Sequence, residues 1–126
     1  MKIRSLMLVI AASIVMSGCT VIAVGGASAI GGSYYLNGEI KAKYPVSIYH
    51  LYEVALYTFQ EEGIRTVSVK NTKIDANIIG RNSDAEKVSV HIYYDKDEYA
   101  VLGVRIGTFG DEKQSRELLK KMEAYI

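Results

Sequence analysis

Apolar and polar residues alternate with a period of two in the stretch "EKVSVHIYYD", and only an extended strand with one buried face satisfies that pattern. Val88, Val90, Ile92 and Tyr94 fall on one side, and Ser89, His91, Tyr93 and Asp95 on the other. The polar run Asp95-Lys96-Asp97-Glu98 then turns the chain into a second alternating stretch, with Ala100, Leu102, Val104 and Ile106 pointing inward. A sheet with one apolar face must bury that face against something, so the rest of the chain has to supply the cover.

Two helices fit the need. From Ser47 to Glu62 the residues Ile48, Leu51, Tyr52, Ala55, Leu56 and Phe59 share one helical face, and Gly63 stops the run. Pro45 suits the entry to that helix. A second helix starts near Asp111, with Ser115, Leu118, Leu119 and Met122 on one side. Asp111 is placed to cap exposed amides, with Gln114 as a capping-box partner, while Glu112 near the start and Lys120 and Lys121 near the end complement the helix dipole. Strands are predicted over about 36–44, 64–70, 74–81, 86–95 and 98–108. The expected fold is α+β in the order β-α-β-β-β-β-α, a curved antiparallel sheet covered by two helices.

The N-terminal end has a different grammar. Lys2 and Arg4 precede the apolar run Leu6–Val15, which ends in Met16-Ser17-Gly18-Cys19. This is the layout of a secretory signal peptide, and ten residues fall well short of the roughly twenty that cross a bilayer as a helix. Cys19 is the only cysteine, so no disulfide forms within the chain. A buried free thiol and an ordinary signal peptide are the plainer alternatives. The tetrad resembles a bacterial lipobox, with Met16 in place of the usual leucine. That likeness implies cleavage before Cys19 and acylation of its thiol and new amine, the several chains that durable anchoring needs. Thr20 follows where aspartate signals inner-membrane retention, which implies an outer-membrane address, facing either the periplasm or the outside. The expected organisation is a signal peptide at 1–18, a lipidated Gly/Ala-rich tether at 19–34, and a globular domain at 35–126. A small-residue helix over the tether is the alternative, through Gly26 and Ala29.

With Lys2 and Arg4 removed, 13 basic residues face 14 acidic ones, a formal charge of about −1. Without a basic stripe, nucleic acid is not the expected partner. His50 and His91 lie on different elements with no ligand spacing around them, so no metal site is expected. Ser68, Ser89 and Ser115 lack a nucleophile-elbow context. Asp95, Asp97 and Glu98 lack the further ligands of a calcium loop. "GTFGDE", with Arg105 and Lys113 nearby, places a helix start where phosphate binds, although capping accounts for the same residues.

"GEIKAKYPVSIYHLYEVAL" and "VRIGTFGDEKQSRELL" resemble a family of small bacterial lipoproteins classed as a domain of unknown function, and the chain is similar to outer-membrane lipoproteins of Francisella. The most specific piece is Arg105-Ile106-Gly107-Thr108-Phe109-Gly110-Asp111. The resemblance implies a helix-grip, or Bet v 1-like, arrangement, in which a sheet curls around the terminal helix and can enclose an apolar cavity. Tyr52, Leu56, Phe59, Val90, Ile92, Leu102, Val104 and Leu119 are the candidate lining of such a cavity. Ten tyrosines and no tryptophan mark the composition. Tyr57 lies opposite the core face of the first helix with His50, Val54 and Glu61, a candidate partner surface. The expected function is that of a noncatalytic, membrane-anchored envelope module that binds or supports an envelope protein, with no cofactor beyond the covalent lipid. The alternative is a carrier or sensor of a small hydrophobic ligand.

Overall fold

The computed structural model describes residues 29–126. Cys19, the expected signal peptide and residues 19–28 of the expected tether lie outside them. The elements are β1 (Ile30–Leu36), β2 (Glu39–Tyr44), α1 (Ile48–Glu61), β3 (Arg65–Asn71), β4 (Asp75–Arg81), β5 (Lys87–Tyr94), β6 (Ala100–Ile106) and α2 (Glu112–Glu123). The strands form one antiparallel sheet in the order β1-β2-β6-β5-β4-β3. α1 carries the chain from β2 to the far edge. Three hairpins then walk back until β6 meets β2.

This is the α+β class expected, with the succession of helix, four strands and helix in place. One element differs. The single strand expected over 36–44 is a hairpin, because Asn37 (φ 53°) and Gly38 (φ 82°) are both left-handed, as the tight two-residue turn between Leu36 and Glu39 requires. Its first arm, β1, begins at Ile30, inside the stretch expected to be tether, with a register shift between Ile30 and Tyr34.

Both helices cover the same face of the sheet and touch each other, α1 over β3, β4 and β5 and α2 over β6 and β2. The helix-grip likeness is loose, since α2 sits beside α1. The inward residues of the strands are buried as alternation demands: Ile40, Ala42 and Tyr44; Ala76 and Ile78; Val88, Val90 and Ile92; Ala100, Leu102, Val104 and Ile106. α2 buries the four residues its periodicity picks out, Ser115, Leu118, Leu119 and Met122.

The elements end for local reasons. Ser47 caps α1 by accepting from the His50 amide at 3.1 Å. At the other end the Ile64 amide donates to the Phe59 carbonyl (2.8 Å) and the Gly63 amide to that of Gln60 (3.4 Å), a Schellman closure with Ile64 folded back on the core. Asp111 caps α2 through the Gln114 amide (3.0 Å), but the Gln114 side chain donates to the Asp111 carboxylate instead of closing a capping box. The few buried polar groups are paired: Thr58 donates to the Val54 carbonyl (2.8 Å), and Ser115 accepts from the Ile106 amide (3.1 Å), joining α2 to β6.

Candidate functional site

The expected cavity residues lie in the core. Phe59, Val90, Ile92, Leu102, Val104 and Leu119 belong to its main cluster, and Tyr52 and Leu56 pack against it. Tyr94, which the alternation places on the inner face, is 43% exposed. It ends β5 at the rim of the sheet, where its phenol oxygen accepts from the Ile48 amide at 3.3 Å. The expected partner stripe on α1 divides. Val54 is buried, and the His50 ring nitrogen Nε2 lies 3.1 Å from the main-chain oxygen of Ile126. Tyr57 meets Tyr125 edge to face at 4.8 Å, and Glu61 holds the Tyr57 phenol above its ordinary pKa. The side of α1 away from the sheet therefore faces residues that follow α2, so the stripe as a whole is not a free surface. A projection on one helix sees the sheet but not the second helix lying alongside.

Three regions have side chains to offer. At one end of the sheet, the loop joining β6 to α2 packs against the β1–β2 turn. Gly110 (φ 79°) comes so close to Gly38 that an added Cβ would lie 2.3 Å from the Gly38 carbonyl oxygen. Arg105 donates from one guanidinium nitrogen to the Asn37 carbonyl (3.4 Å) and from another to that of Thr108. Tyr35 donates to the Gly110 carbonyl at 3.2 Å. The Asp111 amide closes on the Ile106 carbonyl (2.8 Å) and the Gly107 amide on that of Lys87 (2.9 Å). On this held loop the Phe109 ring is 91% exposed. Leu36 beside the same turn is half exposed.

The second region is the sheet face left uncovered by the helices. Lys41 donates to the Tyr93 phenol (3.4 Å) and lies 5.6 Å from its ring centre. Burial works against the Lys41 ammonium, but the Tyr93 bond and nearby Glu39 outweigh it and raise its pKa. Lys43 reaches Asp95 at 3.6 Å and lies 5.6 Å over the Tyr99 ring. His91 stacks near Tyr93 at 4.9 Å, and Glu39 lies across Gly103, where a side chain would collide with it. This face is internally paired.

The third region lies at the opposite end from Phe109. An open cleft of about 430 Å³ is lined by Ser47, Ile48, Tyr49, Asn71, Thr72, Lys73 and Tyr94. Back at the Phe109 end of the sheet, a smaller polar cleft of about 190 Å³ lies between α2 and the β4–β5 turn, lined in part by Glu62, Asn82, Asp84, Gln114 and Lys121. Among the described residues, no group of three or more His, Cys, Asp or Glu is placed to hold a metal ion.

The model described as "Protein of unknown function (DUF3568)" matches residues 2–124. The chain belongs to the DUF3568 family. A search of curated proteins returns no match. In this DUF3568 protein the strand-to-helix segment Arg105–Asp111 builds a fixed tip that presents one aromatic ring. Its motif was visible in the sequence, but the exposure of Phe109 was not, because an isolated phenylalanine beside an apolar strand reads as core. The available signal was its setting: Gly107 and Gly110 flank it, and neither helical nor strand periodicity places it on a buried face.

Proposed function

We propose that this DUF3568 protein is a noncatalytic envelope lipoprotein, anchored through Cys19 to the outer membrane, that docks an envelope protein on its Phe109 loop. The supporting observation is the 91% exposure of Phe109 on a loop held by Arg105, Tyr35 and the Gly38–Gly110 contact. Because the loop backbone is already held, presenting this large apolar side chain costs little further backbone entropy on binding, and aromatic anchors of this kind dominate interfaces. Thr20 after Cys19 supports the outer-membrane address. A carrier function would need open volume among residues such as Phe59, Ile92 and Leu102, which are fully buried in the core cluster.

The test is recovery of bound protein from detergent-solubilised envelope by the parent and by Phe109→Ser. A component that binds the parent should be lost from the variant. The ring contributes little to folding, so stability should change by no more than about 0.5 kcal/mol. Equal recovery with both removes the Phe109 assignment. Intact mass should show acyl chains on Cys19 and no residues 1–18, and Cys19→Ser should leave the membrane fraction. Saturable binding of an apolar probe by the parent would favour the carrier instead.

A further inference from the structure

The sheet has two ends, and the register of the strands says which one receives the N-terminal chain. Ile30 pairs with Lys43, Lys43 with Val101, Val101 with Tyr93, and Tyr93 with Asp75. One row thus runs across from the start of β1 to the β3–β4 turn. At that turn Ile74 is 75% exposed. Its exposure is built in: the Thr72 hydroxyl donates to the Asp75 carboxylate (2.7 Å) and accepts from the amides of Ile74 (3.3 Å) and Asp75 (3.1 Å), while the Thr72 amide donates to the Asp75 carbonyl (2.8 Å). Tyr49 is 60% exposed, Tyr94 is 43% exposed, and both line the 430 Å³ cleft with Lys73, the residue before Ile74.

The geometry points to this end of the domain as a membrane-contacting surface, with Ile74 entering the interfacial layer of the bilayer that holds the Cys19 lipid. The inference rests on the anchoring proposed above. Ile30 follows Cys19 by 11 steps along the chain, so the domain stays within about 40 Å of the anchor even with that chain fully extended. Tethering at this distance turns a weak surface contact into an intramolecular one, so a single isoleucine and two tyrosines suffice. The side chains suit the layer. Tyrosine rings place an apolar body against lipid and a hydroxyl in water, and a lysine stem lies on apolar surface with its ammonium at headgroup level. Asp97 and Glu98 on the adjacent β5–β6 turn oppose Lys73 and Lys96 in charge. The expected surface is therefore zwitterionic, and the contact apolar more than electrostatic.

The absence of tryptophan provides a clean probe, because Ile74→Trp and Phe109→Trp each introduce the only indole in the chain. The full lipidated protein is reconstituted into phosphatidylcholine vesicles whose acyl chains carry bromine as a quencher. Quenching several-fold stronger for Ile74→Trp than for Phe109→Trp, with its emission shifted to the blue, is the expected result. Equal quenching, or stronger quenching at position 109, overturns the membrane contact while leaving the anchor intact. Protein that fails to float with the vesicles overturns the anchor, and this inference with it. Cooperative unfolding of both variants, measured in detergent, confirms that the indoles report on the native domain.

Discussion

Tyr44 shows how much one phenol joins. Its ring is fully buried, and its hydroxyl donates to Glu123 at 2.6 Å, fastening the end of β2 to the end of α2. Burial and the adjacent carboxylate both push its pKa well above the ordinary 10.0. Tyr44→Phe should cost about 1.5–3 kcal/mol at neutral pH, by urea denaturation, through loss of a hydrogen bond to a charged group. The pH dependence follows from the raised folded pKa. The stabilisation is whole below the unfolded value of 10.0 and declines as pH rises above it, because the unfolded chain ionises first. The parent should therefore lose stability steeply above about pH 10, and Tyr44→Phe less so. Val54, which helical periodicity places opposite the core face, is buried, and Tyr94, which strand alternation places inward, is 43% exposed at the end of β5.

Among the elements, the two glycine turns matter more than their size suggests. Gly38 and Gly110 both have left-handed backbones and lie in contact, so a methyl at either site meets backbone that cannot move aside. Gly110→Ala should lower stability by at least about 1–3 kcal/mol from backbone strain alone, and the collision with Gly38 adds to it. Thermal unfolding checks this, and an unchanged midpoint would mean that the loop does not pack as described. Asp111 begins α2 from the same loop. The Gln114 amide and side chain hold its carboxyl below the ordinary 3.8, so its stabilisation is present above that pH and is lost on acidification. Asp111→Ala should unfold at a lower temperature at neutral pH and show a shallower loss of stability below about pH 4. The helices and the last four strands were legible because their apolar residues recur at helical or alternating spacing. The β1–β2 turn was legible too, in its Asn37-Gly38 dipeptide. It went unread because the glycine-rich residues before it resemble a linker.

For the molecule as a whole, β1 ties the N-terminal chain to the domain. It covers one edge of β2 and supplies Tyr35 to the Phe109 loop, so it is more than the last part of a tether. A fragment of residues 29–126 should withstand more urea than one of residues 35–126, which loses the Tyr34–Lys41 and Ile30–Lys43 pairs and exposes the β2 edge. Equal midpoints would return β1 to the role of linker. The two ends of the sheet expose different groups: Ile74, Tyr49 and Tyr94 lie where the chain enters, and Phe109 lies on the loop at the other end. Periodicity, and residues within a turn of one another, were enough for the fold class, for the inward residues Val88, Val90 and Ile92 of β5 and those of β6 and α2, and for the Asp111 cap. The sequence by itself also singled out Cys19, through signals that need no folding. Which apolar residues stay in water depended on how the elements pack. Burial is a property of neighbours distant in sequence: Val54 is buried, while Phe109 and Ile74 stay exposed on turns whose backbones are held by hydrogen bonds and, at Phe109, by the Gly38–Gly110 contact.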